Sequence, residues 1–141
     1  IDTRFDFNDK WYTSLDVVKP FKATGDVHSR FKLRYKEIKQ SMQIVKKLLD
    51  KLKEFRNEQI LTNPNKTLAP NAFAISMTEG WRGEIVHIAL TGANGELLRY
   101  KMKDPSFNNW YMLAMAVRNN RVSDFPLCNK SFNLSYCGND L

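Results

Sequence analysis

The densest chemistry in the sequence is the run Glu79-Gly80-Trp81-Arg82-Gly83-Glu84. An arginine stands between carboxylates, and the flanking glycines let the backbone turn tightly or come close to another group. Two readings are open. One is an ordinary strand connection with a surface ion pair. The other is an arginine presented to a buried centre, with carboxylates relaying protons. Other chemistry-bearing residues are sparse. His28 and His87 lie far apart and neither belongs to a His-x-x-x-His pair. His87 falls in a predicted strand, on the face opposite Val86 and Ile88. It reads either as a hydrogen-bonded structural histidine or as a ligand. Cys128 and Cys137 are too few for a structural zinc site. They are either bridged or, in a reducing compartment, two free buried thiols. There is no phosphate-cradling P-loop, no Gly-x-Gly-x-x-Gly, and no Ser/His/Asp set to nominate.

The elements that position this run are legible from periodicity. Residues 72–78 alternate, with Phe73, Ile75 and Met77 on one face, as a strand does. Residues 84–91 repeat the pattern with Val86, Ile88 and Leu90. Residues 96–103 repeat it with Leu98, Tyr100 and Met102 against Arg99, Lys101 and Lys103. Asn94-Gly95 favours positive φ and so a tight hairpin between the last two strands. Asp104-Pro105-Ser106 ends the sheet and starts a helix to about Asn119, with Ser106 as the expected N-cap. The last twenty residues read as an irregular tail rich in Asn, Ser and aromatics. Residues 1–24 read as an extended strap whose aromatics, Phe5, Phe7, Trp11, Tyr12 and Phe21, need burial against something else. Residues 57–71 read as a polar loop.

Upstream of the sheet lies the charge. The chain of 141 residues carries a formal +7. Residues 30–56 hold ten basic and three acidic side chains, so this one segment accounts for the whole excess. Phe31, Tyr35, Ile38, Met42, Val45, Leu49 and Leu52 alternate spacings of 4 and 3, one apolar seam at a period of about 3.5. No Gly or Pro interrupts residues 26–62. Gly25-Asp26 supplies a turn and an N-cap, and Asn63-Pro64 a boundary. The seam is expected to be buried and the back solvated, with lysine stems covering the edge of a core. Docking of an acidic partner is the competing reading. Nucleic acid is the weakest partner class, because no stacking aromatics interleave with the basic residues.

At 43% hydrophobic and 26% charged residues the composition is globular, not disordered. No apolar run approaches the roughly 20 residues that span a bilayer. The chain opens at Ile1 without an initiator methionine or a signal peptide, as a fragment or processed chain would. The expected fold is α+β: a long helix plus a small antiparallel sheet, a shorter helix and an irregular C-terminal tail.

Taken in order, five segments resemble one family. Gly25-Asp26-Val27-His28-Ser29-Arg30, then Arg34, Glu37, Ser41 and Ile44, is similar to its "GDV-x-x-R … R-x-x-E-I-x-x-S-x-x-I" stretch. Glu79 to Glu84, then His87, resembles "E-x-P-R-G-E … H". Pro105-Ser106-Phe107-Asn108-Asn109-Trp110 resembles "P-S-F-x-N-W". Val122-Ser123-Asp124-Phe125-Pro126-Leu127 resembles "V-A/S-D-x-P-L". Ser131 to Tyr136 sits where the family ends in "S-L-D-P-C" or "S-L-D-I-V-F". The family joins the respiratory complex I 49 kDa subunit to the large subunit of membrane-bound [NiFe]-hydrogenases of the formate-hydrogenlyase type. The resemblance runs from about residue 20 to Leu141.

The resemblance implies that residues 25–141 form the C-terminal domain of an oxidoreductase subunit whose N-terminal part is absent here. It implies a catalytic role for Arg82, with Glu84 and His87 nearby, and a cavity lined by Asn133, Ser135, Tyr136 and Gly138. In the metal-bearing branch the final motif supplies a pair of metal ligands, and those positions are Ser135 and Gly138 here. Cys137 is one place out of register. Serine is a poor substitute for a soft thiolate and glycine is none, so no [NiFe] centre and no metal bound by this fragment is expected. The implied partners are the N-terminal part of the same subunit, an iron–sulfur small subunit and membrane subunits. An iron–sulfur cluster in the partner and quinone are the implied cofactors. The implied location is cytoplasmic, peripheral on the inner face of the cell membrane.

Overall fold

A computed structural model of the chain describes residues 2–7, 10–55, 61 and 67–140. It divides into two compact units, residues 8–63 and residues 1–7 with 64–141.

The first unit is dominated by the long helix. Helix α1 (Thr3–Asp6) belongs to the other unit. Helix α2 (Lys10–Thr13) is a single turn, and α3 runs Val27–Leu52. Residues read as an extended strap thus carry two one-turn helices. Asp26 caps α3: its Oδ1 accepts the Ser29 N–H at 2.6 Å. That backbone hydrogen bond, followed by one from the Ser29 side chain, holds the Asp26 carboxyl below its ordinary value. Strap residues run alongside α3, with the Val18 N–H donating to Gln40 Oε1 at 2.9 Å and Lys47 Nζ 3.0 Å from Asp16 Oδ2. The helix ends earlier than its uninterrupted sequence suggests. After Leu52 it tightens into a 3-10 turn, Lys53–Phe55, a common way for a last turn to close. The Asn63-Pro64 boundary and most of the polar loop over 57–71 lie outside the described residues.

The seam of α3 is exposed, contrary to expectation. Phe31 is 67% accessible, Met42 68% and Leu52 58%. Leu15 is the buried apolar side chain of this unit among the described residues. One strap cannot cover seven seam residues, so the unit by itself leaves the apolar stripe open.

The second unit is built on a three-stranded antiparallel sheet of order β1-β2-β3, with β1 Phe73–Gly80, β2 Gly83–Thr91 and β3 Leu97–Lys103. Phe73 pairs Leu90, Ile75 pairs Ile88 and Met77 pairs Val86, so the two apolar sets share a face. The third strand does not follow. Val86 pairs Lys103, Ile88 pairs Lys101 and Leu90 pairs Arg99. Directly opposed residues point to the same side, so cations border the apolar face, while Tyr100 and Met102 join His87 on the other. The Asn94-Gly95 hairpin forms, with Gly95 at φ 78 and Gly92 and Glu96 closing the loop by a 2.9 Å hydrogen bond.

Helix α4 (Ser106–Ala116) follows the sheet. Pro105, not Ser106, holds the cap position, and the capping acceptor is Asp104, whose Oδ1 takes the Ser106 N–H at 2.8 Å. The tail is more regular than its composition suggests: α5 spans Phe125–Phe132 and α6 spans Tyr136–Asn139. Asn133 makes the turn between them in the left-handed region, φ 53, which asparagine tolerates better than most residues. Leu113 and Cys128 are the buried apolar side chains of this unit among the described residues.

Candidate functional site

Three pieces of backbone converge at the end of the sheet. They are the β1–β2 turn, the start of α4 and the turn from α5 into α6. Gly80 and Gly83 pair across the turn and leave Trp81 and Arg82 at its tip. Gly83 sits at φ 128, a conformation side-chain-bearing residues rarely adopt. The Asn109 amide donates to the Arg82 carbonyl at 2.9 Å and so ties the tip to α4. Arg82 Nε in turn donates to the Asn133 carbonyl. The left-handed turn at Asn133 thus meets the arginine that the glycines display.

The final turn is tied to the same place. The Ser135 N–H donates to Ser106 Oγ at 3.0 Å, and Ser106 is fully buried. Ser135 Oγ accepts the Gly138 N–H at 3.0 Å and caps α6. The Cys137 sulfur lies 3.3 Å from Ser135 Oγ. The Tyr136 ring packs on Trp110, centroids 5.1 Å apart at 46°.

The carboxylates beside Arg82 are handled separately. Glu79 and Glu84 are direct cross-strand partners, and like charges so placed repel. Glu79 Oε2 accepts the Thr3 N–H at 3.0 Å and the Thr3 hydroxyl at 3.2 Å, so α1 stabilises that charge. Glu84 Oε1 lies 4.0 Å from Lys103 Nζ. Its Oε2 is buried and has no hydrogen-bond partner among the described residues, an unusual state for a carboxylate oxygen.

Of the residues nominated from sequence, Arg82, Asn133, Ser135, Tyr136 and Gly138 come together, and Glu84 stands one residue past the turn. His87 does not join them. It lies further along β2 on the opposite face, where its Nδ1 hydrogen-bonds the Tyr100 hydroxyl. Among the described residues neither Cys128 nor Cys137 forms a disulfide; Cys128 is buried and Cys137 exposed. Sequence reasoning read Asp104 and Ser106 as a helix start and Asn109 as part of a motif, but did not place them at the site, where they position the tip and the tail. Asp104-Pro105-Ser106 is a capping signal, and the side-chain links to residues 82 and 135 carry no local periodicity. Among the described residues, no group of three or more His, Cys, Asp or Glu side chains gathers as a metal site. No helix among them is long and apolar enough to cross a membrane.

Known proteins share both the sequence and the fold. The family described as respiratory-chain NADH dehydrogenase, 49 Kd subunit, matches residues 1–72. Hydrogenase-4 component G of Escherichia coli (strain K12) is 32% identical over 139 residues, covering 99% of this chain and 24% of that protein. Formate hydrogenlyase subunit 5 of the same organism is 31% identical over 139 residues, with 99% and 24% covered. A subunit of the NADH-quinone oxidoreductase of Roseiflexus sp. (strain RS-1) is 29% identical over 119 residues, with 80% and 32% covered. The chain therefore spans about a quarter of the first two relatives. Among solved structures, a chain from the membrane-bound sulfane sulfur reductase, an archaeal respiratory membrane complex, superimposes with a TM-score of 0.80 at 20% identity. That match covers 100% of this chain and 39% of the other. At that identity the likeness shows a shared fold.

Proposed function

The chain belongs to the respiratory-chain NADH dehydrogenase 49 kDa subunit family, and from that premise we propose that it is the C-terminal part of the large subunit of a membrane-associated oxidoreductase complex. The observation that carries this reading is the convergence of Arg82 with the Asn133–Gly138 turn. On this reading, electrons come from the iron–sulfur cluster of a small partner subunit and pass to protons or to quinone beside Arg82. The chain's own contribution is positional and electrostatic. A guanidinium fixed through Nε offers a cationic donor to charge developing on an acceptor oxygen. Glu84, with one oxygen lacking a partner among the described residues, can take up and release a proton beside it.

A nickel–iron centre does not fit the donors present. Such a centre is held by thiolates, soft anionic ligands. The turn offers one thiol, Cys137, the Ser135 hydroxyl, which already accepts the Gly138 N–H, and the Tyr136 phenol. Gly138 offers no side chain, and Cys128 is buried in α5. The metal pair therefore has no part in the proposed electron path.

The proposed partners are the N-terminal part of the same subunit, an iron–sulfur subunit and membrane subunits, on the inner, cytoplasmic face of the membrane. Purification of the full-length protein from native membranes tests this. Co-purification of iron–sulfur and membrane subunits supports it, and their absence contradicts it.

A non-catalytic docking module is the second reading, and the open seam of α3 favours it. Lys32, Lys39, Lys46 and Lys53 each follow a seam residue, at successive intervals of seven. That uniform flank suits an amphipathic partner helix with acidic residues facing it. Val45, Leu48, Leu49, Leu52 and Phe55 line an apolar groove at the C-terminal end of the seam. The two readings separate on activity: a docking module keeps its partners when Arg82 is changed, and the complex loses no turnover.

A further inference from the structure

The two positions that the family resemblance assigns to metal ligands, 135 and 138, each have another task in this fold. Ser135 caps α6 through its hydroxyl, which accepts the Gly138 N–H at 3.0 Å. Gly138 is buried, and the room a side chain would need is taken. A Cβ built there lies 2.7 Å from the Asp104 carboxyl carbon, 3.0 Å from Asp104 Cβ and 3.0 Å from its Oδ1. Turning the carboxyl aside does not clear the space, because Asp104 Cβ itself is in the way. Nor is the carboxyl free to turn, since Oδ1 accepts the Ser106 N–H at 2.8 Å. Ser106, fully buried, closes the circuit by accepting the Ser135 N–H at 3.0 Å.

We infer that Asp104, Ser106, Ser135 and Gly138 form a structural latch that pins the C-terminal turn to the start of α4, and that Asp104 closes position 138 to any ligating side chain. The assignment of 135 and 138 as ligand positions rests on the reading above, and the latch itself rests on the contacts. The loss of the ligand pair is then more than two substitutions. A cysteine restored at 138 meets Asp104 before it meets a metal. Asp104 and Ser106 are positioning residues: they act on the turn that Arg82 touches and are not themselves placed on an acceptor.

Thermal unfolding of the full-length protein in a double-mutant cycle tests the latch. Gly138 has no positive φ and lies in a helical turn, where alanine is intrinsically favoured over glycine. Propensity alone therefore predicts that Gly138→Ala raises the melting temperature. The latch predicts a loss of about 2 °C or more, as overpacking a filled site in a long chain costs. In the Asp104→Gly background the same change should be neutral or stabilising. A Gly138→Ala protein as stable as the parent, or an equal loss in both backgrounds, would overturn the latch. If Gly138→Ala does not fold, recovery of folding in the double variant supports the latch, and failure to recover contradicts it. Nickel content, measured separately, decides the metal-free reading whichever way the cycle falls.

Discussion

Arg82 is the residue on which the site turns, and its geometry sets a sharp expectation. The Nε bond to the Asn133 carbonyl is one a lysine cannot reproduce, because an ammonium lacks the planar fork. Arg82→Lys in the assembled complex should lower turnover by about tenfold or more while co-purification of the other subunits stays unchanged. Full turnover with lysine would remove Arg82 from the machinery. Glu84→Gln is the companion test. It keeps the shape of the half-buried group and removes its proton exchange, so turnover should fall and its pH profile flatten if Glu84 relays protons. An unchanged profile would leave Glu84 a structural partner of Lys103. The residues of this cluster were legible as types and motifs. The resemblance implied that they share a cavity, but the contacts that hold them together were not legible, because the links from Asn109 to Arg82 and from Ser106 to Ser135 span 27 and 29 residues of sequence.

At the scale of elements, α3 shows what periodicity can and cannot tell. The seam, the Asp26 cap and the start of the helix were all readable. The outward exposure of the seam was not, since a period of 3.5 says which residues share a stripe and nothing about what covers it. The same limit applies to the sheet. Each strand's alternation was correct, but alternation does not fix register. Pairing Val86 with Lys103 placed β3's cations on the face its neighbours keep apolar. Two measurements belong here. Met42→Glu puts an anion in the middle of the exposed seam and should abolish recovery of whichever helix covers it, with helicity by circular dichroism retained. Recovery of the partner would show that the seam is not its contact. Asp26 adds a pH dependence. Its carboxyl is held below the ordinary value of 3.8 by the Ser29 N–H. The cap's contribution is therefore full above that value and is lost as pH falls through the lower, folded one. Asp26→Asn keeps an acceptor without a charge, so the first turn of α3 should lose its acid sensitivity, read by amide exchange at Ser29. An unchanged acid response would place the titration elsewhere.

For the whole molecule, the imbalance between apolar surface and buried core is the governing fact. Phe73 at 63% and Ile75 at 54% accessible share the sheet's apolar face, and the α3 seam is open as well. Exposed apolar patches of this kind mark surfaces that other protein covers, which agrees with a chain spanning about a quarter of its first two relatives. The +7 charge belongs to residues 30–56, most of which lie in the helix that carries one of these patches, and the rest of the chain is neutral. The α+β class and the family were legible from sequence, because five short motifs kept their order. We propose that the large subunit keeps the oxidoreductase scaffold without its nickel–iron pair. Nickel and iron analysis of the full-length protein, purified with its partner subunits, tests it most directly. The expected result is iron from the partner's clusters and no stoichiometric nickel. One nickel per large subunit, lost when Cys137 is changed to serine, would contradict it.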